Sequence, residues 1–255
     1  MKIATWNVNS IRTRLERALA WLERHEPDVL CLQEIKCEDE AFPREPFEAL
    51  GYHVETHGQK TYNGVALISR EPAEDVVRGF PGDGPEAQAR TIAATFDGLR
   101  VIDVYVPNGS SLESDKFPYK LGWLEQLSDM IEADYDPDDE VLLVGDFNIA
   151  PDGRDVYDLE AFAGQVHFHP KEHAALARLA EWGFEDLFRK HEDGAGFYSW
   201  WDYRRLGFPK NRGLRIDLML GSAPVWDRCD ECVIDRDERK GTKPSDHAPV
   251  IAVLD

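Results

Sequence analysis

The first 34 residues constrain the fold more than any other part of the sequence. Two short apolar runs, KIATWNV (2–8) and DVLCLQE (28–34), have the length and composition of β-strands. The stretch between them begins after Ser10, an expected helix N-cap, and stops at Pro27. Strand, helix and strand of these lengths suit a crossover between parallel strands, which predicts an α/β layered fold. Apolar residues recur at helical spacing in the connecting stretch: Ile11, Leu15, Leu19 and Leu22.

Further apolar runs predict more strands, and two more periodic stretches predict helices. The strands are expected at 64–69, 90–96, 99–107, 140–148, 215–220 and 249–254. The helices are expected at about 116–133 and 172–182, the second ending at Gly183. Because strands outnumber helices, we expect mixed rather than purely parallel sheets.

Composition indicates a globular protein with one domain. No linker divides the 255 residues, so we expect a single domain spanning 1–255, and a hydrophobic fraction of 42% suffices for a sizeable core. No window approaches the roughly 20 apolar residues of a membrane helix, so we expect a cytoplasmic protein without a membrane partner. Four cysteines are too few for a disulfide framework, and Cys229 and Cys232 are expected to be free thiols rather than a zinc site.

The net charge of the whole chain argues against a polyanionic partner, but the charge of a local surface can differ in sign. A formal charge of −20 and a pI near 4.7 would repel one at long range, although such an excess is also typical of a solvated surface. The segment 203–215 differs, because it contains five basic residues and no acidic one. These residues either contact nucleic-acid phosphates or are a solvated surface: Arg204, Arg205, Lys210, Arg212 and Arg215.

The stretch VLLVGDFNIAP (141–151) places a carboxylate at the end of an apparently buried strand, where an unpaired charge is costly. Alternate side chains of an extended chain share a face, so Asp146 and Asn148 point together while Phe147 turns into packing. Singly, such residues are better explained as turn or core residues. Together, at strand ends of an α/β sheet, they indicate a ligand site. Other polar residues in or just after apolar runs are Asn7, Glu34, Tyr105, Asp217 and His247.

The chemistry of this set favours a hard metal ion and a phosphate ester. Carboxylates and carboxamides without thiolates suit Mg²⁺ or Mn²⁺ better than zinc, and Mg²⁺ commonly binds substrate phosphate as well. Hydrolysis of a phosphodiester needs an activated water, a cation and help for the leaving oxygen, roles that Glu34, Asp146 and His247 can fill. We expect Asp217 to orient His247, because the adjacent Asp246 would point to the opposite face of an extended chain.

Seven motifs follow one another as in exodeoxyribonuclease III and its abasic-site (AP) endonuclease relatives, of the endonuclease/exonuclease/phosphatase superfamily. They are WNVNSIR, LCLQEIK, HGQKTYNGVALIS, YVPNG, GDFNIAP, YSWWDYRRLGFPKNRGLRIDLML and KPSDHAPV. The chain resembles that family from residue 2 to about 251. The resemblance implies a four-layered α/β sandwich, two packed mixed sheets flanked by helices. It also implies a monomer that uses Mg²⁺ (or Mn²⁺) to hydrolyse duplex DNA on the 5′ side of an abasic site, with 3′-to-5′ exonuclease and 3′-phosphatase activity.

The same resemblance implies roles for individual residues. Glu34 is the implied main metal ligand, with Asn7 and Asp246 near the metal. Asp146 is implied to orient or deprotonate the attacking water, with the other catalytic residues around it: Tyr105, Asn148, Asp217 and His247. The residues implied to contact DNA are Asn9, Arg90, Asn108, Trp200, Arg212, Leu214 and Ile216. Trp200, Leu214 and Ile216 match positions that line a small apolar pocket for a flipped, base-free sugar, where a normal base fits poorly.

Some features of the sequence have a simpler interpretation, and two rival functions are weighed. Trp201 is expected in the core, and HFHPKEH (167–173) is expected to be a polar loop rather than a metal cluster. A phosphatase or phosphodiesterase of the same fold acting on a non-DNA ester is one rival, which the segment from Trp200 to Ile216 disfavours. A catalytically silent DNA-damage binding module is the other, which the complete set of catalytic residue types disfavours.

Overall fold

The computed structural model describes all 255 residues, which form twelve strands and seven helices. The strands are β1 (Lys2–Asn7), β2 (Val29–Gln33), β3 (His53–His57), β4 (Val65–Ser69), β5 (Glu74–Arg78), β6 (Thr91–Phe96), β7 (Leu99–Tyr105), β8 (Val141–Asp146), β9 (Glu185–Asp186), β10 (Asp217–Gly221), β11 (Cys229–Ile234) and β12 (Val250–Leu254). The helices are α1 (Ile11–His25), α2 (Arg44–Ala49), α3 (Lys116–Asp134), α4 (Leu159–Phe162), α5 (Pro170–Trp182), α6 (Leu187–His191) and α7 (Ala223–Arg228). None of the helices is long and apolar enough to cross a membrane.

Two mixed sheets contain all twelve strands. The first has the order β11-β12-β1-β2-β4-β3 and the second the order β5-β6-β7-β8-β10-β9. Each sheet contains one parallel pair, β1 with β2 across α1 and β7 with β8 across α3, and all other neighbours are antiparallel. The predicted crossover at the N-terminus and the mixed character of the sheets are therefore confirmed.

Alternation along the strands produces three apolar interfaces and hence four layers. Ile3 of β1 lies in a cluster with Ile92 of β6 and Val144 of β8, which packs the two sheets face to face. The next residue, Ala4, points to the other face and lies in the cluster of α1 and α2. Leu143 of β8 likewise points outward, into the cluster that covers the second sheet with α3 and α5. The α/β four-layered sandwich expected from the sequence is confirmed.

The remaining differences between expectation and structure have local causes. Ser10 occupies the N-cap position of α1, as expected, but it has φ +86° and its side chain accepts no bond from the helix backbone. The strand expected at 215–220 begins only at Asp217. Strands β3, β5, β9 and β11 were not expected, and β5 and β11 were missed because EDVVR and CDECVI carry charges along their exposed sides. The four short helices α2, α4, α6 and α7 were not expected either. All four cysteines are free and buried, as expected for Cys229 and Cys232.

The parallel pairs bring polar strand ends to one edge of the sandwich. Asn7 at the end of β1 is in register with Gln33 of β2, one residue before Glu34. Tyr105 at the end of β7 is in register with Asp146 at the end of β8, and Asp146 is in register with Asp217 of β10. The two sheets therefore deliver five of the polar residues singled out in the sequence to one place.

Gly145 is required where β7 and β8 approach each other. It has φ +137°, and a Cβ placed on it would lie 1.9 Å from the carbonyl oxygen of Val104. We therefore expect Gly145→Ala to lower the free energy of unfolding by about 3 kcal/mol, through backbone strain and overpacking. Gly122→Ala in α3 is the control, because nothing lies within 4 Å of its Cβ position, and it should stabilise the protein by up to about 1 kcal/mol. Urea unfolding of both variants measures this, and equal stabilities would contradict the expectation.

Candidate active site

A cavity of about 170 Å³ opens at the edge where the two sheets bring their polar strand ends together. Ten of its eleven lining residues are among those singled out from the sequence, and the eleventh is His167. This volume is well below the 300–1,000 Å³ typical of pockets for drug-sized ligands. The lining residues are Glu34, Tyr105, Asn108, Asp146, Asn148, His167, Trp200, Leu214, Ile216, Asp246 and His247.

Glu34 enters the cavity between an amide and an ammonium group. Its Oε1 accepts a hydrogen bond of 2.9 Å from Asn7 Nδ2, and its Oε2 lies 2.7 Å from Lys36 Nζ. Burial opposes ionisation of Glu34, but Lys36 and Asn7 together lower its pKa, so the carboxylate is charged at neutral pH. Glu34 and Lys36 both have positive φ, 52° and 54°, which bends the chain around the site after β2. Lys36 was not singled out in the sequence, although it lies in the motif LCLQEIK.

Asp146 is buried and holds three hydrogen bonds. Its Oδ1 accepts from the Asn148 backbone N–H at 2.9 Å, and its Oδ2 accepts from Asn7 Nδ2 at 2.9 Å and Asn148 Nδ2 at 3.2 Å. Burial raises the pKa of Asp146 to about 7, with the charge of His247 acting in the opposite direction. The side chain of Phe147 packs in the core of the second sheet, as the alternation predicted. Asp146 thus combines a buried carboxylate with a pKa close to neutral.

His247 is oriented by Asp217, as predicted. Its Nδ1 lies 2.9 Å from Asp217 Oδ2, and its Nε2 lies 3.8 Å from Asp146 Oδ2. Burial disfavours the imidazolium, but the carboxylates of Asp217 and Asp146 outweigh it and raise the pKa of His247 to about 10. Ser199 Oγ accepts from the backbone N–H of Asp217 at 3.0 Å and holds the end of β10 in place. A positively charged imidazole therefore faces the cavity at neutral pH.

Asp246 also reaches the cavity rim, where its two oxygens are already hydrogen-bonded. Oδ1 accepts from Asn9 Nδ2 at 2.9 Å and Oδ2 from Trp200 Nε1 at 3.1 Å. Burial opposes its ionisation, but the charge of His247 and these bonds lower the pKa of Asp246. The Asn9 carboxamide oxygen in turn accepts from Lys36 Nζ at 2.6 Å. Asp246 and Glu34 are thus linked through Asn9 and Lys36.

Tyr105 and Arg90 form a stacked pair beside the carboxylates. The Arg90 guanidinium lies 4.7 Å from the Tyr105 ring centroid and donates to the Tyr105 carbonyl oxygen at 2.9 Å. Burial, followed by the charges of Glu34 and Asp146, raises the pKa of Tyr105 well above its usual value, so the phenol keeps its proton. Arg90 is only 8% exposed and has protein partners, so its contact with DNA stays a prediction.

The apolar wall of the cavity consists of the residues that the family resemblance assigned to a sugar pocket. Leu214 and Ile216 are buried in one small cluster, and Trp200 packs against it. Isolated β-bridges join Trp200 to Leu214 on one side and to His247 on the other. Trp201 is fully buried and packs away from the cavity, as expected for a core residue.

His167 is the cavity residue that sequence reasoning missed. The expectation of a polar loop holds only in part, because α5 begins at Pro170 and the His167 ring lines the cavity. Its Nδ1 lies 2.6 Å from the Asn148 carbonyl oxygen, which can only accept, so Nδ1 carries the proton. Burial, with the nearby charge of Lys120, lowers the pKa of His167 to about 3, so the ring is neutral. The one sequence signal for its position was that it lies three residues before α5, a helix that packs on the second sheet.

The basic segment 203–215 divides into buried and exposed residues. Arg215 is fully buried, with its Nε 2.6 Å from Asp155 Oδ1 and an Nη 2.7 Å from Asp186 Oδ2, so the expectation that it contacts phosphate is wrong. Arg204 pairs with the neighbouring Asp202 at 3.0 Å. Arg205 and Arg212 line an open cavity of about 430 Å³ next to Trp200 and have no side-chain hydrogen bond to the protein. The guanidinium groups free for a phosphate are therefore at this rim.

The donor set fits a hard divalent cation. Glu34, Asp146 and His247 each place one carboxylate oxygen or ring nitrogen within 4.8 Å of the others. Because the protonated ring of His247 has no lone pair to offer, the two carboxylates are the ligands available to a cation. Asn7 directs its Nδ2 to both carboxylates while its oxygen accepts from the Asn9 N–H at 3.0 Å, so it bridges them rather than presenting an oxygen. Oxygen ligands without a thiolate are those that Mg²⁺ and Mn²⁺ prefer.

Comparison with known proteins finds relatives that match the whole length of this chain. The sequence model described as the Endonuclease/Exonuclease/phosphatase family matches residues 4–247. Exodeoxyribonuclease III of Haemophilus influenzae is 42% identical, with 99% of each chain covered. A 3′ phosphatase, NExo, from Neisseria, solved with a product DNA hairpin, superposes with a TM-score of 0.96 at 41% identity, covering 100% of this chain and 99% of that one. An AP endonuclease from Archaeoglobus fulgidus gives 0.95 at 40% identity, with the same coverage.

We expect His167 to make the folded protein less stable in mild acid. Its folded pKa of about 3 lies below the unfolded value near 6.5, so below pH 6.5 the unfolded chain binds a proton that the folded chain does not. Because the ring is partly accessible to solvent, we expect wild type to lose about 1 kcal/mol more than His167→Gln between pH 7.5 and 5.0. Urea unfolding at both pH values measures the difference, and parallel losses would show that His167 is not buried as a neutral ring.

Proposed function

Because the chain belongs to the endonuclease/exonuclease/phosphatase family, we propose that it is a metal-dependent DNA repair nuclease that hydrolyses phosphodiester bonds in duplex DNA. The observation that carries this proposal is the convergence of Glu34, Asp146 and His247 in one cavity, with one side-chain oxygen or nitrogen of each within 4.8 Å of the others. The names of full-length relatives support it: exodeoxyribonuclease III, 3′ phosphatase and AP endonuclease. DNA is therefore the proposed partner.

Asp146 is the proposed base for the attacking water. A carboxylate with a pKa near 7 is matched to accept a proton at neutral pH, and three hydrogen bonds hold its oxygens in place. The side chain of Asn148 donates to Asp146, and its oxygen accepts from Asn108 Nδ2 at 3.0 Å. Asn148 and Asn108 thus form a hydrogen-bonded rim around the place where the water would be deprotonated.

His247 and Tyr105 are the proposed contacts to the scissile phosphate. The imidazolium places a positive charge beside the phosphate, where negative charge develops as the bond to water forms. The protonated phenol of Tyr105 can donate to a phosphate oxygen, and Asp217 keeps His247 charged and oriented. A bound Mg²⁺ or Mn²⁺ supplies further positive charge against the phosphate. Glu34 would hold it, with Asn7 and Asp246 nearby.

The size of the cavity supports selectivity for a base-free sugar or a terminal phosphate. About 170 Å³ must accommodate the phosphate and the attacking water as well as the sugar, which leaves no room for an intact base. We therefore propose incision on the 5′ side of abasic sites as one activity, with Trp200, Leu214 and Ile216 against the base-free sugar. Arg212 at the rim is the proposed contact to a neighbouring phosphate.

One observation favours processing of 3′ ends over abasic incision within the same nuclease activity. His167 shares the cavity wall with Trp200 and Leu214, so part of the volume beside the apolar residues is already filled by a ring. A phosphate at a 3′ end can reach His247 and Asp146 without inserting a whole sugar so deeply. We propose that 3′-phosphatase activity exceeds AP endonuclease activity.

Three further properties belong to the proposal. A single core between the two sheets supports one domain, 1–255. Four free, buried thiols support a reducing compartment, so we propose a cytoplasmic location. We propose that a monomer is active, because all the proposed catalytic residues come from one chain.

The test is cleavage of two duplex DNAs, one with a single abasic analogue and one with a 3′-phosphate at a nick, in Mg²⁺ or in chelator. We expect product only with Mg²⁺, and Asp146→Asn should lower kcat at least about 100-fold because the proposed base is lost. Its DNA affinity should stay near that of wild type. Asp230→Asn, on the exposed edge strand β11, is the control and should be fully active.

Other outcomes identify the rivals. If the wild type binds either duplex but does not cleave it, the protein is a DNA-damage binding module and not a nuclease. Hydrolysis of non-DNA phosphate esters but not of DNA would indicate a phosphatase of the same fold. Wild-type turnover by Asp146→Asn would remove Asp146 from the mechanism.

His167→Ser tests the proposed preference for 3′ ends. Removing the ring enlarges the space beside Trp200, so we expect kcat/KM on the abasic duplex to rise about tenfold relative to kcat/KM for 3′-phosphate removal. His173→Ser is the matched control, because His173 bonds the Ala150 carbonyl from the same region but does not line the cavity. An unchanged ratio of the two activities in His167→Ser would refute the preference.

A further inference from the structure

A fully buried ion pair lies directly behind the candidate active site. Lys120 of α3 and Glu172 of α5 are both 0% exposed, and the Lys120 Nζ pairs with Glu172 Oε1. Burying two charges costs several kcal/mol of desolvation per ion, and apolar residues of similar volume often stabilise a fold as well or better. Packing of α3 against α5 alone therefore does not account for the pair.

Besides Glu172, the Lys120 ammonium contacts the two loops that follow β7 and β8. Its Nζ donates to the Asn148 carbonyl oxygen at 2.7 Å and lies 3.4 Å from the Asn108 carbonyl oxygen. Asn148 and Asn108 are the two residues whose side chains bond each other at the cavity rim. One ammonium group therefore holds the backbones of both catalytic loops.

Glu172 connects the same point to the third loop of the cavity. Its oxygens accept from the backbone N–H groups of His167 at 3.2 Å and His169 at 3.0 Å. The His167 Nδ1 in turn donates to the Asn148 carbonyl oxygen at 2.6 Å. Three loops that line the cavity thus meet at Lys120 and Glu172.

Asn148 needs this support because of its backbone conformation. It has φ +52°, in the left-handed region that costs free energy for any residue but glycine, although asparagine tolerates it best. Its backbone N–H and its side chain then bond both oxygens of Asp146. A change in the Asn148 backbone would therefore move the donors that orient Asp146.

We propose that Lys120 is a positioning residue for the nuclease reaction, which holds Asn148 and Asn108 in the reactive arrangement, while Glu172 neutralises it. The inference rests on the proposed function, since it concerns the same site. Neither residue lines the cavity, so both act through the residues that they hold.

The test compares wild type with the double variant Lys120→Met and Glu172→Gln, which removes the ammonium without leaving a charge unpaired. We expect kcat for 3′-phosphate removal to fall about 10- to 100-fold, the range for loss of a residue that orients a catalytic group, while KM changes less than about threefold. A second double variant, Lys120→Gln with Glu172→Gln, restores one amide donor and should recover part of kcat.

Arg178→Met is the matched control. Arg178 of α5 also pairs with α3, at 2.7 Å from both Asp129 and Glu132, but these pairs are exposed and none of the three residues lines the cavity. We expect this variant to keep wild-type kcat. A fall in kcat equal to that of the double variant would show that packing of α3 on α5 is what matters, and would overturn the proposal.

Hydrogen–deuterium exchange gives a readout that does not depend on activity. We expect faster exchange at 106–110 and 147–150 in the methionine double variant and no change there in Arg178→Met. If the methionine variant does not fold, kcat and exchange of the glutamine double variant decide. Wild-type kcat or unchanged exchange in a folded double variant would overturn the proposal. If wild type cleaves no DNA, the proposed function fails, and exchange alone decides whether Lys120 positions the loops.

Discussion

The burial of a negative charge at the end of β8 is the constraint on which the rest of the site depends. Asp146 is 1% exposed, and a carboxylate in that position must be protonated, paired or hydrogen-bonded. Three groups surround the Asp146 carboxylate. They are Asn7 from the first sheet, Asn148 from the loop after β8 and His247 from the loop before β12. Each partner then requires support of its own, which His247 finds in Asp217. The candidate site is thus built from the groups that keep one charge inside the protein.

Much of this could be predicted from sequence because strands have a period of two. Alternation alone separates Asp146 and Asn148 from Phe147, and it excludes Asp246 as the partner of His247 in favour of Asp217, which the structure confirms. Strands whose apolar residues were continuous, such as β8 and β4, were expected within one or two residues of their ends. Family motifs supplied the remaining site residues, and ten of all the predicted site residues line one cavity.

The failures have a common cause, which is that sequence patterns report a residue's neighbours along the chain and not across it. Arg215 resembles the exposed arginines beside it, but Asp155 and Asp186 come from distant segments to bury it. His167 lies in a polar loop whose position against the cavity is set by Glu172 on the following helix. Ser10 has the side chain of an N-cap, but its backbone bends toward Glu34, whose carbonyl accepts its N–H at 2.7 Å. The spacing of apolar residues along the sequence cannot predict such contacts.

The register of β7, β8 and β10 has a consequence for how such a protein can change its substrate. Tyr105, Asp146 and Asp217 stand side by side on three adjacent strands, so their separation follows the interstrand repeat of about 4.8 Å, which backbone hydrogen bonds determine. Side-chain substitutions in the surrounding loops leave that repeat unaltered. Under the proposed function, backbone geometry therefore sets the distances between the groups that act on the phosphate. The proposed substrate contacts of His167 and Arg212 depend instead on loop side chains.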